Sequence, residues 1–226
     1  MPRFVHYLYL IPLLFSVIIG LKSSKGKWTD PYSLFAIFLL GSLAVELFAI
    51  SWKLSLHRTR YWSYSKSNLW IYNLYLMPQY LFYFWFYTKV LESKFLWNYR
   101  LCLFIVYTVF GLINLLFVQK MNQLNTYNII GGNMLIILCS FLYFMQELNR
   151  VKPKVVQRDS LFWISLGGFI FNTVSLPYFI FLNYIVRVNL SMAVALFNIL
   201  LFLNILMYSF YLIAFVWRAQ FPKKQF

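Results

Sequence analysis

Chemistry in this chain starts with one acid in an unexpected place. Pro31 to Lys53 reads PYSLFAIFLLGSLAVELFAISWK, an apolar run that carries Glu46 in its interior. A run of about 20 apolar residues is long enough to cross a bilayer as a helix. An ionisable side chain at that depth costs roughly 2.5 to 3.5 kcal/mol on insertion scales, so it faces protein or water rather than lipid. It must be protonated, paired or hydrated. Lys53, seven residues on, is the nearest cation on that face and reaches toward the interface. The other four acids, Asp30, Glu92, Glu147 and Asp159, fall in loops or at the ends of apolar runs, and Glu147 stands beside Arg150 as a solvated or salt-bridged end residue. The two histidines, His6 and His57, are far apart, and Cys102 and Cys139 lie within apolar runs as small buried hydrophobes. An enzyme needs at least two converging acid, base, nucleophile or metal groups. This sequence offers no such constellation and no metal-ligand spacing, so a non-enzymatic protein without a cofactor is expected.

The remaining polar side chains recur at helical spacing inside apolar runs. In NLWIYNLYLMPQYLFYFWFYTKV, Tyr72, Tyr75, Gln79 and Tyr83 follow at steps of three, four and four and share one face. Pro78 is expected to loosen the helix there and free a carbonyl. Two readings stay open for this face: tyrosines bonded to neighbouring helices, or the lining of a pocket. Later, Gly131-Gly132 permits close helix approach, and Asn133, Ser140 and Glu147 follow at steps of seven. In SLFWISLGGFIFNTVSLPYFIFLNYIV, Ser165, Gly168, Asn172 and Ser175 form a stripe of small and amide residues of the kind that packs helices in lipid. Asn183 is expected on the same side, and Pro177 offers a second kink. The last run carries Asn198 and Asn204 but no lysine, which excludes a retinal Schiff base of the seven-helix photoreceptor type. The candidate ligand-binding residues are Glu46, Asn73, Tyr75, Gln79, Asn114, Asn172 and Asn198.

The elements that must position them are membrane helices. Of 226 residues, 62% are hydrophobic and 11% charged, with mean hydropathy +0.68. A soluble domain carries about 25% charge. The net charge of +15 does not indicate nucleic acid, because the basic residues cluster between apolar runs, at phosphate-headgroup level, and no soluble basic face remains to read a duplex. The partners are membrane lipids. One all-α domain of seven spans is predicted over 1–226, at Phe4–Leu21, Pro31–Lys53, Asn68–Val90, Phe95–Val118, Tyr127–Leu148, Ser160–Val186 and Met192–Trp217. The first span lacks a small-residue cleavage site and is followed, not preceded, by Lys22, Lys25 and Lys27, so it is expected to be retained. With the N-terminus outside, thirteen Lys and Arg fall on the cytoplasmic side and seven on the outer side, which favours N-outside, C-cytoplasmic. One outer segment dissents, LSLHRTRYWSYSKS at Leu54–Ser67. It is either interfacial, with Tyr61, Trp62 and Tyr64 at headgroup depth, or a basic surface for an anionic ligand or partner.

In that topology Glu46, Asn73, Asn114, Asn133 and Asn183 lie in the outer half, with Gln79, Asn172 and Asn198 nearer the middle. If these sides face inward, they enclose an outward-opening polar cavity suited to a small molecule. The stretches NLWIYNLYLMPQYLFY, NTYNIIGG and SLFWISLGGFIF resemble a group of uncharacterised bacterial inner-membrane proteins with seven predicted spans. Members of that group often appear near two-component sensor kinases. The resemblance implies a sensory or accessory role in the cytoplasmic membrane and carries over no site residue. In outline only, the layout also resembles G-protein-coupled receptors and the SWEET sugar transporters. The expectation is a receptor-like protein that binds a small or lipid-like ligand, or a partner such as a membrane-bound sensor kinase. A transporter is the alternative, since Asn73 precedes Pro78 as Asn172 precedes Pro177, by five residues, and spans 1–3 and 4–6 would then form inverted repeats. A structural subunit of a membrane complex is a further one.

Overall fold

A computed structural model describes residues 6–24, 29–57, 59–62, 67–121, 123–150 and 158–220. Phe4, Lys25, Lys27, Arg58, Tyr64, Lys66 and the basic residues Arg3, Lys152, Lys154, Lys223 and Lys224 lie outside that set. The described residues form seven α-helices of 14 residues or more and no strand: α1 Leu10–Ser23, α2 Pro31–Ser55, α3 Leu69–Val90, α4 Lys94–Ile113, α5 Thr126–Leu148, α6 Ser160–Val188 and α7 Leu190–Gln220. A π-helical turn, Asn114–Val118, extends α4.

Five of these helices, α2, α4 with its extension, α5, α6 and α7, are long and apolar enough to cross a membrane. The first apolar run forms a shorter helix than its length suggests. Pro12 has no N–H to donate and its ring clashes with a preceding helical carbonyl, so it is tolerated only in the first turn, and α1 begins at Leu10. In α3 the five tyrosines, with Asn73 and Gln79, lower the hydropathy of a helix that is otherwise 22 residues long. Both internal prolines, Pro78 and Pro177, are carried within continuous helices.

Six helices form a ring. α1 packs on α2, α2 on α3, α3 on α5, α5 on α6, α6 on α7, and α7 closes back on α1. α4 stands outside, against α3 and α5. Its buried residues are only Leu96, Tyr107 and Gly111, and the rest of its apolar surface, Cys102 included, is exposed. Cys102 is therefore not the buried hydrophobe expected, because α4 presents one narrow stripe to the bundle; Cys139, on α5, is fully buried. α6 and α7, of 29 and 31 residues, are about 43 and 46 Å long at 1.5 Å per residue. Beyond Ser175 no residue of α6 is buried, and Asn183 is exposed. It returns to the Asn172 side in angle, but only after the helix has left the ring.

The ring divides into two runs of three helices, α1–α3 and α5–α7, joined through α4. Tyr80, Phe82 and Tyr83 of α3 recur 128 positions later as Tyr208, Phe210 and Tyr211 of α7. The second helix of each half starts on an aspartate that caps it: Asp30 accepts from Ser33 N at 3.0 Å, and Asp159 from Leu161 N at 2.9 Å. In this plan α4 is the linker and has no counterpart. The inverted pairing of spans 1–3 with 4–6 does not describe the arrangement, because it would equate α1, inside the ring, with α4, outside it.

An aromatic core fills the half of the ring near the ends of α1, α3 and α7. Phe35 is fully buried, with ring centroids of Phe86 at 4.8 Å, Tyr211 at 5.3 Å and Tyr83 at 5.8 Å. At that end Arg218 of α7 pairs with Asp30 at 2.6 Å and lies 4.3 Å from the centroid of the Tyr32 ring. Glu147 forms its expected ion pair with Arg150 at 3.0 Å. Helices meet closely where glycine allows it: a Cβ on Gly132 would overlap the Tyr80 ring, whereas one on Gly41 would meet nothing within 4 Å. Gly132→Ala is therefore expected to lower stability by about 1–3 kcal/mol. Gly41→Ala is expected to be neutral or to add up to about 1 kcal/mol from helix propensity. Thermal unfolding of the two variants in one detergent checks the contrast.

Candidate functional site

Toward the opposite end from the aromatic core, the ring encloses a cavity of about 110 Å3. α2 contributes Ser42, Val45 and Glu46, and α3 contributes Tyr72, Tyr75, Gln79, Tyr80 and Tyr83. Ile136 comes from α5, Phe171 and Asn172 from α6, and Asn204, Met207 and Tyr208 from α7. Both halves of the ring thus supply walls. The four residues spaced on one face of the third apolar run, Tyr72, Tyr75, Gln79 and Tyr83, all line it, and Tyr72, Tyr75 and Tyr83 also bond groups on neighbouring helices, so that both readings of the face apply.

Glu46 is held by hydroxyls rather than by a cation. Tyr9, immediately before α1, and Tyr72 of α3 donate to its Oε2 at 2.8 and 2.9 Å. Lys53 is exposed, and Glu46 makes no ion pair among the described residues. These two hydrogen bonds tie α2 to α3 and to the entry of α1 at the mouth of the ring. One turn deeper, Ser42 Oγ and Tyr75 OH lie 2.5 Å apart. Tyr83, which lines the cavity, has its hydroxyl 3.0 Å from that of Tyr211, and Phe35 packs against both rings. Asn172 donates to the Gly168 carbonyl of its own helix at 2.6 Å and Asn204 to that of Leu200 at 3.1 Å, leaving each amide oxygen available to the cavity. Gln79 bonds no protein group among the described residues.

Of the seven residues expected from the sequence, the structure brings four together, Glu46, Tyr75, Gln79 and Asn172. Asn73 points the other way and is 1% exposed. Its amide donates to the carbonyls of Met121 and Gln123 at 3.1 and 2.7 Å and its oxygen accepts from Asn125 N at 3.0 Å, clamping the connection between α4 and α5. Asn114 belongs to the same region, bonding Gln119 and Asn128 at 3.1 Å each across the π-helical turn. Asn198, on α7, is not among the residues that line the cavity. Asn133 accepts from Tyr80 at 2.7 Å and donates to Ser175 at 3.2 Å, joining α3, α5 and α6.

The residues not anticipated are Tyr9, Ser42, Tyr80, Asn204 and Tyr208. Hydrophobic spacing assigns tyrosines to a face but not to a neighbour. The duplicated Tyr-x-Phe-Tyr signature was the available signal for Tyr80 and Tyr208. No group of three or more His, Cys, Asp and Glu is found among the described residues. Comparison of the chain with protein-family models, with curated proteins and with solved structures finds no match.

Asn73→Ala leaves the buried N–H of Asn125 without its partner and releases the carbonyls of Met121 and Gln123, and at roughly 1–3 kcal/mol per buried group a loss of about 1–3 kcal/mol is expected. Gln79→Ala removes only cavity lining and is expected to cost less than about 1 kcal/mol. Chemical or thermal denaturation of the pair separates the two roles.

Proposed function

We propose that this chain is a non-enzymatic seven-span protein of the bacterial cytoplasmic membrane, N-terminus outside, that binds a small ligand within the helix ring and acts through a partner membrane protein. The observation that carries the reading is the convergence of Glu46, Tyr75, Gln79 and Asn172 from three helices on one cavity. The excess of Lys and Arg on the side where α1, α3, α5 and α7 end supports the orientation. In the same reading α1 and α3 cross the membrane, their polar side chains turned to the ring. A chain made of membrane helices and short connections has no output machinery of its own among the described residues, which favours a sensory or accessory subunit beside a membrane kinase or similar partner.

A second reading, transport, is favoured by the contribution of both three-helix runs to one cavity. Parallel three-helix repeats with the binding site at their interface are a recurring transporter plan, and here each half contributes to the walls of the cavity.

With Cys102 and Cys139 replaced by alanine, Leu56→Cys is expected to react with a membrane-impermeant thiol reagent from outside the cell, and Asn149→Cys only after permeabilisation; the reverse pattern inverts the orientation. Cross-linking in native membranes followed by purification is expected to recover a stoichiometric membrane partner. A protein that is always recovered alone, yet moves solute in proteoliposomes, selects the transport reading.

A further inference from the structure

We infer that the ring cavity takes a small organic cation, an alkylammonium or quaternary ammonium group, with Glu46 as its counter-charge and tyrosine rings as its walls. This inference rests on the ligand-site reading above and names the ligand's chemistry. Glu46 is the single charged residue among those lining the cavity; no Lys, Arg or His shares it. Its two protein partners both reach Oε2, so Oε1 keeps its acceptor capacity for an incoming donor or charge. The carboxylate is held only by neutral hydroxyls, and an anion would meet it with no cation to offset the repulsion.

The rest of the wall suits a cation as well. Tyr72, Tyr75, Tyr80, Tyr83 and Tyr208 all line the cavity, and tyrosine rings attract cations through their negative faces, most strongly where water is excluded. Aromatic walls with a nearby acid are the general solution for ammonium recognition. Size sets the rest. An engineered apolar cavity of about 150 Å3 holds benzene, so 110 Å3 fits a ligand of about four or five non-hydrogen atoms by the same scale. Tetramethylammonium and ethanolammonium are of that size. Amide oxygens of Asn172 and Asn204 on the far wall offer acceptors to an ammonium N–H or a ligand hydroxyl.

The test uses the full chain in lipid nanodiscs, with three probes at equal ionic strength: tetramethylammonium chloride, sodium acetate, and tert-butanol as a neutral molecule of matching size. A ligand that binds the folded state alone raises the unfolding temperature in a concentration-dependent way. Tetramethylammonium is expected to do so saturably and acetate not at all. Glu46→Gln keeps the side-chain shape and is expected to weaken the cation's effect at least about tenfold. Tyr208→Leu keeps the acid and removes one wall, with an expected loss of about threefold or more; it decides the matter if Glu46→Gln does not fold. If tert-butanol stabilises the wild type as well as the cation does and Glu46→Gln is indifferent, the cation assignment is overturned and the ligand site stands. If none of the probes shifts the wild type, both are overturned.

Discussion

Side chains that carry hydrogen-bonding groups within an apolar slab have to find their partners on neighbouring helices, because no water competes for them. That constraint organises this molecule. Tyrosine is the side chain used most, since its ring fills space in the core while its hydroxyl reaches across an interhelical gap. Tyr87 bonds Ser140 at 3.0 Å and Ser165 at 3.2 Å, so one hydroxyl ties α3 to α5 and α6. Tyr80 with Asn133, and Tyr83 with Tyr211, do the same at other levels. Small residues on the receiving helices let the rings approach, and serines close the remaining seams: Ser16 donates to the Tyr208 carbonyl and Ser160 to that of Ala214. Each such bond is individually modest, about 0.6–2 kcal/mol in membranes, so the ring holds through their number and through aromatic packing.

The same constraint explains where the cavity is. One half of the ring is packed solid by Phe35, Phe86, Phe215 and the tyrosines around them. In the other half the inward side chains of α2, α3, α6 and α7 are polar, and their hydrogen bonds run along the walls, to their own helix or to an immediate neighbour. Space is left along the axis between the halves. Glu46 stands beside that space with Tyr72 and is bonded by Tyr9, and Tyr83 joins its wall to Tyr211.

Much of this was legible in the residues. Hydropathy and charge gave an all-α bundle, and the helix boundaries fall within a few residues of the apolar runs except at α1, where Pro12 delays the start. The face made by Tyr72, Tyr75, Gln79 and Tyr83 follows from spacing alone, and the depth of Glu46 marked it as a residue needing partners. What spacing does not encode is the neighbour. Asn73 is one residue from Tyr72 yet about 100° around the helix, and so serves the α4–α5 connection instead of the cavity. Asn114 and Asn172 are chemically alike; only the placement of α4 outside the ring separates their roles. Tyr9 reaches Glu46 from the turn that leads into α1, a contact that hydropathy does not encode.

The position of α4 carries a consequence of parity. A unit of three helices that traverses a bilayer leaves its chain on the side opposite to where it entered, so a tandem copy fused directly would sit upside down. One additional traverse restores the heading, and a helix with that duty alone needs few contacts with the units it joins. α4 fits the duty: it is exposed along most of its length and fastened mainly at one extremity, through Tyr107, Asn114 and the amides around Asn128.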